Sequence, residues 1–93
     1  MINSFRDKKT RALFRDGTGH KKCQSFDKAA RRKLVVLDAA MSLHDLERPL
    51  NNRLKLLKGH RQGQHSIRIN DQYRVCFRWR DGDAYDAEIT DYH

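Results

Sequence analysis

"QHSIRINDQYRVCFRWRDGDAYDAEIT", Gln64 to Thr90, is the stretch that decides the fold. Apolar and polar residues alternate in three runs, "QHSIRI", "YRVCFRW" and "AYDAEIT", separated by turn-forming residues. A period of two marks strands with one buried face. It also sets the pairing, because a one-residue slip exchanges the two faces of a strand. Across "NDQ", Ile69 opposite Tyr73 aligns Ile67 with Val75 on an apolar face and Arg68 with Arg74 on the other. Across "DGD", a two-residue Asp81–Gly82 turn would set Phe77 against Asp86 and Val75 against Glu88, mixing core with solvent. A three-residue loop, Asp81 to Asp83 with Gly82 at positive φ, pairs Trp79 with Tyr85, Phe77 with Ala87 and Val75 with Ile89. The second register is the expected one.

That register collects Arg68, Arg74, Arg78, Asp86, Glu88, Thr90 and Tyr92 on a polar sheet face. Arg78 opposite Asp86 is an ordinary cross-strand ion pair, whereas Arg68 opposite Arg74 juxtaposes like charges and is destabilising. Two guanidiniums converging on one face invite an anion, and their forked geometry suits phosphate. The final strand can run on into "DYH". It would bring Tyr92 to the face of Arg74 and leave Asp91 and His93 at its end.

Upstream of Gln64 the period changes. "RLKLLKG", Arg53 to Gly59, is a further expected strand with Leu54 and Leu56 on one face. Before it, Ala30, Leu34, Leu37 and Met41 recur at helical spacing behind Asp27, a suitable N-cap. "LERPLNN" then breaks the helix at Pro49. An earlier helix is expected from about Asp7 to the "DGTG" at Asp16–Gly19, and "MINSF" has room for a short strand carrying Ile2 and Phe5. The expected architecture is a single α+β domain over residues 1–93, with an N-terminal strand and two helices packed on one face of a mainly antiparallel sheet.

Hydrophobic residues make up only 38% of the chain, so the core must be thin and a stabilising partner is plausible. Twenty Lys and Arg against twelve Asp and Glu give a net charge of +8. Such an excess favours a polyanionic partner, RNA or DNA ahead of a membrane surface. No apolar run approaches a bilayer span, and the N-terminus has no signal-like apolar stretch. A cytoplasmic protein is expected. Cys23 and Cys76 are too few and too far apart for a metal knuckle or disulfide framework.

Cleavage of RNA at a 2′-hydroxyl needs a base, cations for the crowded phosphorane and an acid for the leaving 5′-oxygen, and requires no metal. Histidine's intrinsic range suits proton transfer near neutral pH, which makes His93 the candidate. Tyr92 can stack on a base, and Asp91 can orient His93 or take part in proton transfer. Arg68 and Arg74 can hold the phosphate, with Arg53, Lys55, Lys58 and Arg61 adding charge. His60 and His65 make a poor zinc pair, no Gly-rich loop leads into a helix, Cys76 reads as a packed thiol, and Ser66 lacks a base.

"LKG", then "GQHSIRINDQYRVCF" from Gly63 to Phe77, and the terminal "DYH" resemble the HigB-like branch of the RelE superfamily, the plasmid-maintenance killer toxins. The likeness runs through essentially the whole chain. It implies a RelE-like, microbial-ribonuclease-like fold and a ribosome-dependent mRNA endonuclease without a cofactor, cutting message in the ribosomal A site. It implies a cognate helix-turn-helix antitoxin, with operator DNA met only through that antitoxin. The family's arginine maps to Arg74, and its terminal acid, aromatic and histidine to Asp91, Tyr92 and His93. Some members carry a histidine where this chain has Lys55, a far weaker base unless desolvated, so the base differs or activity is reduced. Some place an arginine where Asn70 stands, which leaves Arg68 a candidate from the register rather than from the family. A non-catalytic RNA- or ribosome-binding growth inhibitor is the alternative.

Overall fold

The computed structural model describes residues 1–17, 24–48 and 52–91. Cys23, the helix breaker at Pro49, and Tyr92 and His93 lie outside the described residues. Three helices, α1 (Lys8–Asp16), α2 (Gln24–Ala39) and α3 (Leu43–Glu47), precede and pack on a four-stranded sheet. Its strands are β1 (Lys55–Leu56), β2 (His65–Arg68), β3 (Tyr73–Arg80) and β4 (Asp83–Asp91), in the order β1-β2-β3-β4. Every neighbouring pair is antiparallel. The expected α+β architecture is present, with α3 in addition.

Local chemistry sets the helix ends. Asp7, extended at φ −137°, accepts from the Thr10 N–H at 3.1 Å and starts α1. Gly17, at φ 75°, closes it with an N–H bond to the Leu13 carbonyl at 2.9 Å. α2 begins at Gln24, so Asp27 lies in its first turn rather than at its cap, where a carboxylate still complements the helix dipole. Ala30, Leu34 and Leu37 are buried as their spacing requires. Met41 is 83% exposed, because α2 stops at Ala39 and Ala40 takes the inward position. Ser42 and Asp45 form a reciprocal capping box that starts α3 and seats Leu46 in the core.

The apolar face of the sheet, with Ile67, Val75, Phe77, Ala84, Ala87 and Ile89, packs against Leu13, Leu34 and Leu37. The N-terminal segment makes two isolated parallel bridges, Ile2 to Ala84 and Phe5 to Ala87, instead of a continuous strand. It covers the outer edge of β4 together with Thr10, whose hydroxyl accepts the Ile89 N–H at 3.2 Å. β1 is shorter than its sequence suggests. Leu54 packs on the core, but Leu56 is 61% exposed and Leu57 is buried in its place, apart from the main cluster. Alternation carried one residue past β1 puts Leu57 on the polar face, where its N–H donates to the Gln64 carbonyl at 2.9 Å.

The register is as expected at the core end and different at the hairpin tip. Ile67 opposes Val75, Arg68 opposes Arg74, Val75 opposes Ile89 and Cys76 opposes Glu88. Past a shift between Cys76 and Arg78, however, Trp79 pairs with Ala84 and Arg80 with Asp83, not Trp79 with Tyr85. Asp81 (φ 53°) and Gly82 (φ 84°) form a two-residue turn of the primed type, and Asp86 (φ 54°) sits at the bulge. Arg78 therefore pairs with Tyr85 in register, while its Nε lies 3.9 Å from Asp86 Oδ2. No helix among the described residues is long and apolar enough to cross a membrane.

Candidate active site

Arg74 lies mid-sheet between Arg68 on β2 and Thr90 on β4. Its guanidinium is held on the strand side facing β1. Nε donates to Ser66 Oγ at 2.6 Å, and Nη2 donates to the Ser66 carbonyl at 3.5 Å and to the Arg53 carbonyl. Ser66 is fully buried, so its hydroxyl is a fixed acceptor. Arg53 adopts φ 48°, a left-handed conformation uncommon for a residue with a side chain, and this aims its carbonyl at Arg74.

A cleft of about 550 Å³ opens here, lined by Arg53, Leu54, Lys55, Arg68, Asn70, Asp71 and Arg74. Four cationic side chains share it with one carboxylate. That carboxylate, Asp71, bonds Arg68 Nη2 at 2.5 Å and is itself fully exposed. Solvent screens an exposed pair of this kind strongly, so an incoming phosphate can replace Asp71 with little loss. The opposed arginines are tolerated because each has an acceptor of its own. Asn70 shapes the β2–β3 connection, its Oδ1 accepting the N–H groups of Gln72 and Tyr73 at 2.9 and 2.8 Å.

The other sequence candidates fall around this cleft. Lys55 lines it, whereas Lys58 is exposed at the cap of the 3-10 turn Gly59–Arg61. Arg61 crosses the polar face to β4, donating to Glu88 Oε1 at 3.1 Å and to Thr90 Oγ1 at 3.5 Å. Arg6 approaches Glu88 from the other side, at 3.9 Å. Cys76 is buried among these groups; burial raises its thiol pKa, Glu88 adds to the rise, and Arg61 and Arg74 oppose it. A thiol so placed is a packing group. Asp91 ends β4 opposite Tyr73, one residue beyond the Thr90 that faces Arg74, and accepts from Gln72 Nε2 at 3.0 Å. The structure thus brings Arg53, Lys55, Arg68 and Arg74 together and sets Asp91 at the strand end leading to Tyr92 and His93.

Two supporting residues carried no signal in the sequence. Asn52 is buried between α2 and α3, accepting from Lys33 Nζ at 2.6 Å and donating to the Leu46 carbonyl at 3.2 Å. The Lys33 ammonium has its pKa lowered by burial, then by the nearby charges of Arg32 and Arg68. Only the fold brings these groups together, one residue before the Arg53 that lines the cleft. Chemically the cleft can grip and neutralise a phosphodiester.

Comparison with known proteins gives a consistent result. The HigB-like toxin family, described as "RelE-like toxin of type II toxin-antitoxin system HigB", matches residues 3–93. The chain is similar to "Toxin HigB-1" of Vibrio cholerae, at 41% identity over 90 residues covering 96% of this chain and 95% of that protein. It is also similar to "Endoribonuclease HigB" of Proteus vulgaris, at 36% identity over 94 residues covering both chains in full.

Proposed function

We propose that this chain, which belongs to the HigB family of RelE-like toxins of type II toxin–antitoxin systems, is a ribosome-dependent endoribonuclease that cuts messenger RNA in the ribosomal A site. Membership of a type II system implies an antitoxin as partner. A helix-turn-helix form of that antitoxin, operator DNA contacted only through it, and a cytoplasmic setting belong to the same proposal. Residues 1–93 act as one domain.

The observation that carries the reading is Arg74, pinned by Ser66 and Arg53 directly opposite Arg68 in an open cationic cleft. In the proposed reaction the 2′-hydroxyl of a message nucleotide attacks the adjacent phosphorus, the bond to the 5′-oxygen breaks, and a cyclic phosphate remains. Charge on the phosphorane oxygens grows as the bond forms, and cations already in place stabilise it without reorganising. Arg74 and Arg68 take that role, with Arg53 and Lys55 beside them. Lys58 and Arg61 add charge to the surface the RNA approaches. His93, with Asp91 orienting it or sharing the transfer, takes the 2′-hydroxyl proton and delivers one to the departing 5′-oxygen, and Tyr92 stacks on a base. Lys55 stands where some relatives use histidine, so proton removal falls more heavily on the terminal residues.

Primer extension on a defined message in programmed ribosomes tests this, with wild type and Arg74→Ala side by side. Discrete cuts at the A-site codon should fall by on the order of 10²-fold in the variant. Stalled ribosomes with intact message in both samples would instead favour a non-catalytic ribosome-binding inhibitor.

A further inference from the structure

We propose that Asn52 is a positioning residue for Arg74, acting through the backbone carbonyl of Arg53, with Lys33 as its anchor. The inference rests on Arg74 gripping the scissile phosphate and adds what fixes its guanidinium there.

Asn52 is a polar side chain with only 1% of its surface exposed, and both ends of its amide are used. Its Oδ1 accepts from Lys33 on α2 and its Nδ2 donates to the Leu46 carbonyl in α3. These two bonds fix the backbone just before Arg53. Arg53 then turns into the left-handed region, φ 48°, and offers its carbonyl to Arg74 Nη2. A residue with a side chain holds that conformation only where its neighbours over-determine it, and the amide bonds of Asn52 do so. If the turn relaxes, the carbonyl rotates away and the guanidinium keeps its Ser66 contacts but loses the Arg53 acceptor. A misplacement of about 1 Å at a reacting group lowers rates by on the order of 10²-fold.

Asn52 also ties α2 to α3, so a purely structural role must be separated from positioning. Single-turnover cleavage in programmed ribosomes should be measured for wild type, Asn52→Ala, Arg74→Lys and the double variant. Lysine keeps a charge near the phosphate but cannot form the fork, so residual cleavage remains measurable. Asn52→Ala should lower the rate at saturating enzyme about tenfold or more while half-saturation shifts less than about twofold. In the Arg74→Lys background the same change should cost less than about twofold further. Independent, multiplying losses would overturn the proposal.

Nitrogen NMR of the arginine side chains gives a reading that does not depend on cleavage. Arg74 Nη protons should exchange faster in Asn52→Ala than in wild type, because the Arg53 carbonyl is lost while the Ser66 contacts remain, and unchanged protection would equally overturn it. Lys33→Met, at a half-buried site, covers the case in which Asn52→Ala fails to fold and should move both readouts in the same direction. Wild-type cleavage by Arg74→Ala would fault the site assignment itself, a different result from independent losses at Asn52.

Discussion

At the scale of single residues, desolvated groups divide into those that serve the cleft and those that pack. Ser66 is buried and holds Arg74, whereas Cys76, on the same face, is buried with its thiol pushed up. His65 is on the packing side. Its ring stacks on Phe77, with centroids 6.1 Å apart, and its Nδ1 is buried with no hydrogen-bond partner among the described residues. Burial lowers its pKa from the usual 6.5. The unfolded chain then takes up the proton first as pH falls. His65 therefore leaves stability unaffected above about pH 6.5, and stability is lost as pH drops from there through the lowered folded value. His65→Phe keeps a stacked ring and removes the titration. Urea unfolding between pH 7.5 and 5 should show a shallower loss of stability in the variant than in wild type. Parallel curves would mean that His65 titrates alike in both states.

At the scale of elements, the β3–β4 hairpin shows what could be read in advance. Alternation demands one register where the strands face the core, and Asp81-Gly82 demands another at the tip. A three-residue loop would reconcile them through alternation alone; the chain reconciles them with the primed turn and a bulge at Asp86. Strands β2, β3 and β4, α1, the buried stripe of α2 and the opposition of Arg68 and Arg74 were legible, because each follows from local sequence pattern. The five-residue α3 was marked only by the Ser42–Asp45 box and was missed. The Arg61 crossing to Glu88 and the support of Arg74 by Arg53 were illegible, since they depend on residues that meet only in the fold. The turn itself is testable. A β-carbon on Gly82 would meet the Met41 carbonyl at 3.6 Å, an ordinary contact, so the penalty is in the backbone alone. Gly82→Ala should destabilise the protein by about 1–2 kcal/mol, read as a lower urea midpoint at unchanged slope. A midpoint equal to wild type would mean that the turn relaxes to another type.

At the scale of the whole molecule, the net charge of +8 is distributed in a way that bears on how RNA is met. Besides the Arg74 cleft, a second groove of about 350 Å³ runs beside α1, with Arg6, Lys8, Arg11 and Arg15 facing a single carboxylate, Asp7. That carboxylate is already committed to the α1 cap. The two clefts are joined across the polar sheet face, since Arg6 approaches Glu88, Glu88 bonds Arg61, and Arg61 bonds the Thr90 that opposes Arg74. A backbone of phosphates lying on this track would release a counterion for each cation it meets. The logarithm of affinity then falls with the logarithm of salt by about 0.7 per phosphate on single strands and about 0.9 on duplex. Arg11→Gln with Arg15→Gln should therefore reduce the salt slope of ribosome binding by about 1.4 to 1.8. The single-turnover cleavage rate at saturating enzyme should not change, because neither residue lines the Arg74 cleft. An unchanged slope would confine RNA contact to the Arg74 side and leave the α1 groove as solvated surface. A slope that falls together with the saturated rate would mean that the groove helps align the message as well as attract it.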